Sequence, residues 1–152
     1  MKELDKLSAS EVEIMMKAPL LVCVLIAGAD NEIDNKEIKG AIELAEEAQA
    51  KVGLSEFYKM VTEDFEDKLK IILQGLPIES TQRNPILFEE LNLLNAVFPK
   101  LKKSFAQEYY KSLRFLAKKV AESSGGVLGI KSVGEEEMKF LKLPMIKDPS
   151  AL

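Results

Sequence analysis

The chain has 152 residues, of which 47% are hydrophobic and 30% are charged, and its net charge is −4. This balance suits one globular domain with a sizeable core and excludes disorder along the whole chain, while the acidic charge argues against a nucleic-acid-binding protein. The absence of histidine excludes Ser-His and Cys-His catalytic pairs, and a single cysteine excludes an internal disulfide and a thiolate metal cluster.

The N-terminal part of the chain predicts a buried helix and no secretory signal. The first residues carry acids and lack a basic region followed by an apolar run. The apolar run over residues 18–29 is twelve residues long, too short for a membrane span of roughly 20, so we predict no direct membrane insertion. Cys23 lies within this run and is predicted to be a core side chain. A lone cysteine fits a reducing compartment, so a cytoplasmic location is expected.

The first helix is predicted to begin with a capping box formed by Ser10 and Glu13. Pro19 is expected to kink this helix or to begin a second segment, because proline lacks a backbone donor and crowds the preceding turn. The helix is expected to end near Gly28. Apolar residues follow the spacing of one helical face at Val12, Met15, Met16, Pro19, Leu20, Cys23 and Ile26.

Two further helical regions are predicted in the next part of the chain. Asp34 and Glu37 form a second capping box, which opens a helix that is expected to stop at Gly53. The following region, residues 55–74, is expected to break near Thr62, whose hydroxyl could cap the run behind it. Gly75 then ends that region.

The second half of the chain is predicted to hold a helix that has Pro85 in its first turn, a long helix over residues 99–123, and a short helix over residues 135–143. The predicted apolar faces are formed by Leu87, Leu91, Leu94, Phe98, Leu101, Phe105, Tyr109, Leu113, Leu116, Ala117 and Val120. We find no sustained strand alternation and predict an all-α fold, a compact single-domain helical bundle. Its expected limits are a lead over residues 1–9, a domain over 10–143 and a flexible tail over 144–152.

The most informative run for function is the acidic turn between the first two predicted helices. Its acids are Asp30, Glu32, Asp34 and Glu37. Alternating oxygen ligands are typical of the start of a calcium loop, but Asn35 and Ala41 stand where an EF-hand needs glycine and glutamate. Two interpretations therefore stay open. Either Asp34 and Glu37 cap the helix and the other acids are solvated, or the turn holds a hard cation, Ca²⁺ or Mg²⁺.

A second, glycine-rich run lies late in the chain. Ile130 separates Gly129 from Lys131, so the spacing of a phosphate-binding P-loop is absent. The three glutamates over residues 135–137 would repel a phosphate. We interpret this run as a glycine-rich turn that holds its aliphatic residues against the core.

Together the two runs resemble the tellurite-resistance TerB-like family. The resemblance rests on "AGADNEIDNKEI" and on "AKKVAESSGGVLGIKSVGEEEMKFL", and it extends over residues 10–143. It implies an all-helical fold with two similar helix–turn–helix halves. Asp30, Glu32, Asp34 and Glu37 would form the first acidic site, with Glu135 and Glu136 as its counterpart. The chain departs from the family at Asn31, where glycine is frequent.

The resemblance also implies a role. Such proteins are similar to cytoplasmic bacterial stress-response components that act by binding, including binding of metal ions, and by association with a membrane-bound protein partner, with no known reaction. Our leading hypothesis is accordingly a non-catalytic binding or scaffold domain. The alternatives are a carboxylate- and metal-dependent hydrolase and a purely structural helical adaptor without an ion.

Overall fold

The fold is known from a computed structural model, which describes residues 2–28, 35–48, 52–124 and 140–151. Every regular element in these ranges is helical, which confirms the all-α prediction. The α-helices are α1 (Ala9–Ala27), α2 (Asn35–Glu47), α3 (Val52–Thr62), α4 (Phe65–Gln74), α5 (Ser80–Asn92), α6 (Leu94–Val97) and α7 (Lys103–Ser124). Short 3₁₀ turns cover Lys2–Leu4, Phe98–Lys100 and Pro149–Ala151.

Helix α1 is the centre of the molecule. Every residue from Ala18 to Ala27 is buried, and α2, α3, α5 and α7 all pack around it. A helix that is apolar on all sides can be stable in water only when other elements cover it completely, so the predicted buried helix is confirmed. Cys23 is fully buried, and burial raises the pKa of its thiol, as expected for a core side chain.

The capping box of α1 lies two residues earlier than predicted. Ser8 Oγ accepts a hydrogen bond from the backbone N–H of Glu11 at 3.3 Å, and Glu11 Oε1 accepts one from the backbone N–H of Ser8 at 2.9 Å. The prediction of Ser10 and Glu13 was therefore wrong. The chain offers two overlapping Ser-x-x-Glu patterns, and the earlier one gains a third partner. Lys100 Nζ lies 2.7 Å from Glu11 Oε2 and holds the pKa of that carboxyl below its usual range.

Helix α1 runs through Pro19 as one element, so the expected second segment does not form. Proline has no N–H to donate to the carbonyl four residues back, which belongs to Met15. The Tyr109 hydroxyl, from α7, donates a hydrogen bond to this Met15 oxygen at 2.8 Å. A side chain from a distant helix thus takes the place of the missing backbone donor.

The hydroxyl of Ser112 links α3 and α7 inside the core. Tyr58 donates its hydroxyl proton to Ser112 Oγ at 2.7 Å, and Ser112 donates in turn to the backbone oxygen of Tyr109 at 2.6 Å. Burial raises the pKa of both tyrosines, so each hydroxyl keeps the proton that its hydrogen bond needs.

The helices α2 to α4 match the prediction in outline. Helix α2 begins at Asn35, directly after the predicted cap, but Gly53 lies in the first turn of α3 and does not end α2. The break predicted near Thr62 is present and occurs at Asp64, whose φ of 52° is left-handed. The Thr62 hydroxyl does not cap α4, because it donates to the Lys59 carbonyl within α3 at 2.8 Å. Gly75 ends α4 as predicted.

The second half confirms the predicted buried faces of the long helices and corrects their starting points. Helix α5 begins at Ser80, so Pro85 lies in its interior and not in its first turn. The ring of Pro85 leaves the Thr81 carbonyl without an intrahelical donor. Thr81 and Pro85 are both exposed, so water can reach this region. Helix α7 begins at Lys103 and not at residue 99 as predicted, because Phe98–Lys100 form a separate 3₁₀ turn before it.

The C-terminal residues are held against the domain, in contrast to the predicted flexible tail. Ile146 and Pro149 are buried. Asn95 in α6 clamps the segment: its Nδ2 donates to the Met145 oxygen at 3.0 Å, and its Oδ1 accepts from the Lys147 N–H at 2.7 Å. The predicted glycine-rich turn and most of the predicted last helix lie outside the described residues, so the two-halves arrangement stays a prediction.

Candidate binding groove and the acidic turn

An apolar groove of about 370 Å³ lies between α1, α4 and α5. We call it the α1–α4–α5 groove. On α1 and on α4 the lining residues repeat at intervals of three and four, so each helix contributes one face. The lining is formed by Glu13, Met16, Lys17 and Leu20 of α1, Lys68, Ile71 and Ile72 of α4, Gly75 and Leu76 behind α4, and Ile86 and Glu90 of α5.

The groove is open because α4 lies at the edge of the fold and packs only sparsely on the other helices. Its inward face buries Phe65, Leu69 and Ile72 in the core. Ile71, on the neighbouring face, is 68% exposed, and Ile86 across the groove is 38% exposed. From Glu13 to Leu20 the α1 wall is roughly 10 Å long, about two helical turns.

The charged residues of the groove lie at its rim. Lys17 Nζ lies 3.6 Å from Glu90 Oε1, so these two charges offset each other across α1 and α5. Lys68 Nζ donates to the Met60 oxygen at 2.8 Å, near the C-terminal end of α3, where a cation is favourable. Glu13 is exposed and forms no ion pair with any residue in the described part of the chain. The groove thus has an apolar floor and a charged rim.

The predicted acidic turn is placed only in part. Asp30, Glu32 and Asp34 lie outside the described residues, as do Glu135 and Glu136 of the predicted counterpart. Glu37 lies in the first turn of α2 and is half-buried. Within residues 2–28, 35–48, 52–124 and 140–151, no three acidic or cysteine side chains come together in a way that could hold a metal ion.

A buried arginine lies where the acidic turn leaves α1. Arg83 of α5 is 4% exposed, and its guanidinium donates to the Gly28 oxygen and to the Ile78 oxygen, each at 2.8 Å. Burial lowers the pKa of this group. Gly28 leaves room for this contact, since a Cβ there would overlap Nη2 and lie 2.9 Å from Cζ, so the guanidinium would have to shift. Arg83 therefore places a positive charge at the C-terminal end of α1, where the helix dipole is negative.

Sequence reasoning missed both Arg83 and the groove. Arg83 precedes Leu87 and Leu91 by four and eight residues, so its spacing does place it on the buried face of α5. The signal was missed because the helix was predicted to begin near Pro85. Ile71 and Ile86 did carry a signal, because each is apolar but lies off the buried face of its helix. That signal predicts that each residue is an exposed apolar side chain, but it does not predict that the two residues flank one groove.

Comparison of the chain with protein-family models, with curated proteins and with solved structures gives no match. Among the helices that the structure describes, none combines the length and the apolar character that crossing a membrane requires.

Proposed function

We propose that this protein is a non-catalytic binding and scaffold domain of the TerB-like kind, acting in the cytoplasm as part of a bacterial stress response. Its proposed ligand is a partner protein, and its proposed binding surface is the α1–α4–α5 groove. One observation carries the proposal, namely the pair Ile71 and Ile86, which leave apolar surface exposed on the two sides of a groove with an apolar floor.

The energetic argument is that a partner would gain most by covering this groove. Burial of apolar surface contributes roughly 25 cal/mol per Å², and fully burying an isoleucine side chain contributes about 1.5–3 kcal/mol relative to leaving it exposed. Ile71 is 68% exposed and therefore retains much of that contribution for an interface. Apolar side chains at the centre of an interface, with charges around them, are the arrangement in which a few residues dominate affinity.

The charged groups of the groove favour binding over catalysis. Lys17 and Glu90 offset each other, and Lys68 is held by the Met60 oxygen. Each of these groups is therefore held in place by a contact within the protein. A carboxylate-dependent hydrolase would instead need two acids in unlike environments at one point, one to donate and one to accept a proton.

The hard cation remains part of the proposal. The run that holds Asp30, Glu32 and Asp34 lies in the sequence between the end of α1 and the start of α2, and Glu37 follows in the first turn of α2. Oxygen ligands of this type suit Ca²⁺ or Mg²⁺. In this arrangement the ion would stiffen the connection between two helices, and the partner would bind elsewhere, at the groove.

Site-specific cross-linking tests the protein-binding proposal. A photoreactive phenylalanine analogue at position 71 should form a discrete adduct with one protein in living cells. The same analogue at position 78 should not form it, because Ile78 is 91% exposed but does not line the groove. The cross-linked protein is then purified and its affinity for this domain is measured. We expect Ile71→Gln to weaken binding at least tenfold and Ile78→Gln to leave it within twofold. Equal adducts from both positions, or no adduct from position 71, would overturn the proposal.

A further inference from the structure

The walls of the α1–α4–α5 groove have the geometry of a helix bundle that lacks one member. On α1, Glu13, Met16, Lys17 and Leu20 face the groove, and on α4, Lys68, Ile71, Ile72 and Gly75 do so. Both sets follow the three-and-four spacing that one helix presents to a neighbour. An amphipathic helix laid between them would bury its apolar stripe on Met16, Ile71 and Ile86, which line the groove and are not buried. This is the helix-in-groove form of peptide recognition.

The two walls carry charges of opposite sign. On the α1 wall, Glu13 is exposed and has no ion-pair partner in the described part of the chain, while Lys17 is offset by Glu90. On the α4 wall, the ammonium of Lys68 uses one donor on the Met60 oxygen and has others to offer, since a lysine carries three. The α1 side is therefore negative at its rim, and the α4 side is positive.

We propose that the occupant of this groove is an amphipathic helix with a basic residue on the flank that faces α1 and an acidic residue on the flank that faces α4. This inference rests on the proposed function and adds the chemistry of the partner to it. Flanking charges of this kind set partner choice and orientation in paired helices, while the apolar stripe supplies the affinity. A helix with the same sign on both flanks would meet one favourable wall and one unfavourable wall.

The expected size of the charge effect follows from the exposure of these rim residues. Exposed ion pairs change a binding or folding equilibrium by about two- to fivefold each, and salt screens them. The apolar stripe should have the larger effect. Loss of one well-placed apolar anchor at an interface weakens binding by tenfold or more.

Three synthetic helical peptides of equal length and identical leucine stripe test the inference against the full-length protein. One peptide carries lysine on one flank and glutamate on the other, the second carries glutamate on both flanks, and the third carries lysine on both. Dissociation constants are measured by fluorescence anisotropy at low salt. We expect the mixed peptide to bind two- to fivefold more tightly than either of the others. Glu13→Lys makes both walls positive, so the all-glutamate peptide should then bind most tightly.

Variants at the apolar positions separate this inference from the proposed function. Ile71→Gln should weaken all three peptides at least tenfold, and Ile78→Gln should weaken none of them. If the three peptides bind equally well but still depend on Ile71, the charge inference fails and the protein-binding groove stands. If no peptide shows a dependence on Ile71, the groove as a helix-binding site is overturned as well.

Two controls cover other occupants. Sedimentation of the protein alone would overturn the inference if it shows a dimer that Ile71→Gln dissociates, because the groove then binds a second copy of the chain. Saturable one-to-one binding of dodecanoate that displaces the mixed peptide and depends on Ile71 would assign the groove to a small amphiphile instead. We expect a monomer and no displacement.

Discussion

Helices α1 and α4 show two ways in which the apolar residues of a helix can be used in the same fold. From Ala18 to Ala27, α1 is buried on every side, and its helical neighbours in space are α2, α3, α5, α6 and α7. Helix α4 buries a single face and leaves Ile71 68% exposed on another. The first helix holds the domain together, whereas the second retains apolar surface that folding does not use. This comparison predicts where substitutions cost stability and where they cost binding.

The largest effect is expected in the buried part of α1. Leu21 is fully buried, so Leu21→Ala should lower the free energy of unfolding by about 2–5 kcal/mol through lost burial and the cavity that remains. Urea denaturation followed by circular dichroism measures this change. The matched control is Ile71→Ala in α4, which should change stability by less than about 0.5 kcal/mol. Similar losses at the two positions would show that α1 and α4 do not differ in the way described.

A smaller loss is expected where α1 passes through Pro19. Tyr109→Phe removes the hydroxyl that donates to the Met15 oxygen and leaves that buried carbonyl unpaired. The expected cost is about 1–3 kcal/mol. Tyr110→Phe is the control in the same helix and should change stability by less than about 0.5 kcal/mol, since Tyr110 makes no hydrogen bond through its hydroxyl to another described residue.

A double-mutant cycle makes this test specific. Alanine at position 19 restores a backbone N–H that can reach the Met15 oxygen, so the cost of Tyr109→Phe should shrink in the Pro19→Ala background. An unchanged cost would mean that the Tyr109 hydroxyl does not stand in for the donor that Pro19 lacks.

Sequence reasoning predicted the parts of the fold that depend on local spacing. The apolar periodicity identified the buried faces of α5 and α7, and the composition of the run around Cys23 identified the core helix. It failed where a partner distant in sequence decides the outcome. Pro19 predicts a break in α1, and spacing along the chain gives no sign of the Tyr109 hydroxyl that replaces the missing donor. Ser10 and Ser8 both fit the capping pattern, and the contact of Lys100 with Glu11, which favours Ser8, is distant in sequence.

The candidate site was harder to predict for the same reason. The α1–α4–α5 groove arises from the relative placement of three helices, and a spacing pattern within one helix carries no information about that placement. The acidic turn was visible in the sequence because its acids are close together along the chain. Whether they act together depends on their side-chain positions, which closeness along the chain does not fix.

A stability effect of intermediate size is expected at the end of α1. If Asp30, Glu32, Asp34 and Glu37 hold a hard cation, Ca²⁺ or Mg²⁺ at tenfold its dissociation constant should stabilise the domain by about 1.4 kcal/mol and raise the Tm. Asp30→Asn should reduce the shift. Sodium chloride at matched ionic strength is the control, because screening alone also eases repulsion among acids. A shift no larger than in this control would assign the turn a structural role, with Arg83 as the cation at the end of α1.

The smallest effect on stability, and the most informative for function, is expected at Ile71. Glutamine is a good helix former and carries no charge, so Ile71→Gln should keep α4 helical and change the free energy of unfolding by less than about 0.5 kcal/mol. Thermal and urea denaturation of the variant, beside Ile78→Gln, measure this directly. A loss of several kcal/mol would mean that Ile71 is part of the core in solution and that the groove is closed. Near-wild-type stability combined with a tenfold loss of binding would separate the two uses of apolar surface, because apolar side chains would stabilise the fold in α1 and serve recognition in α4.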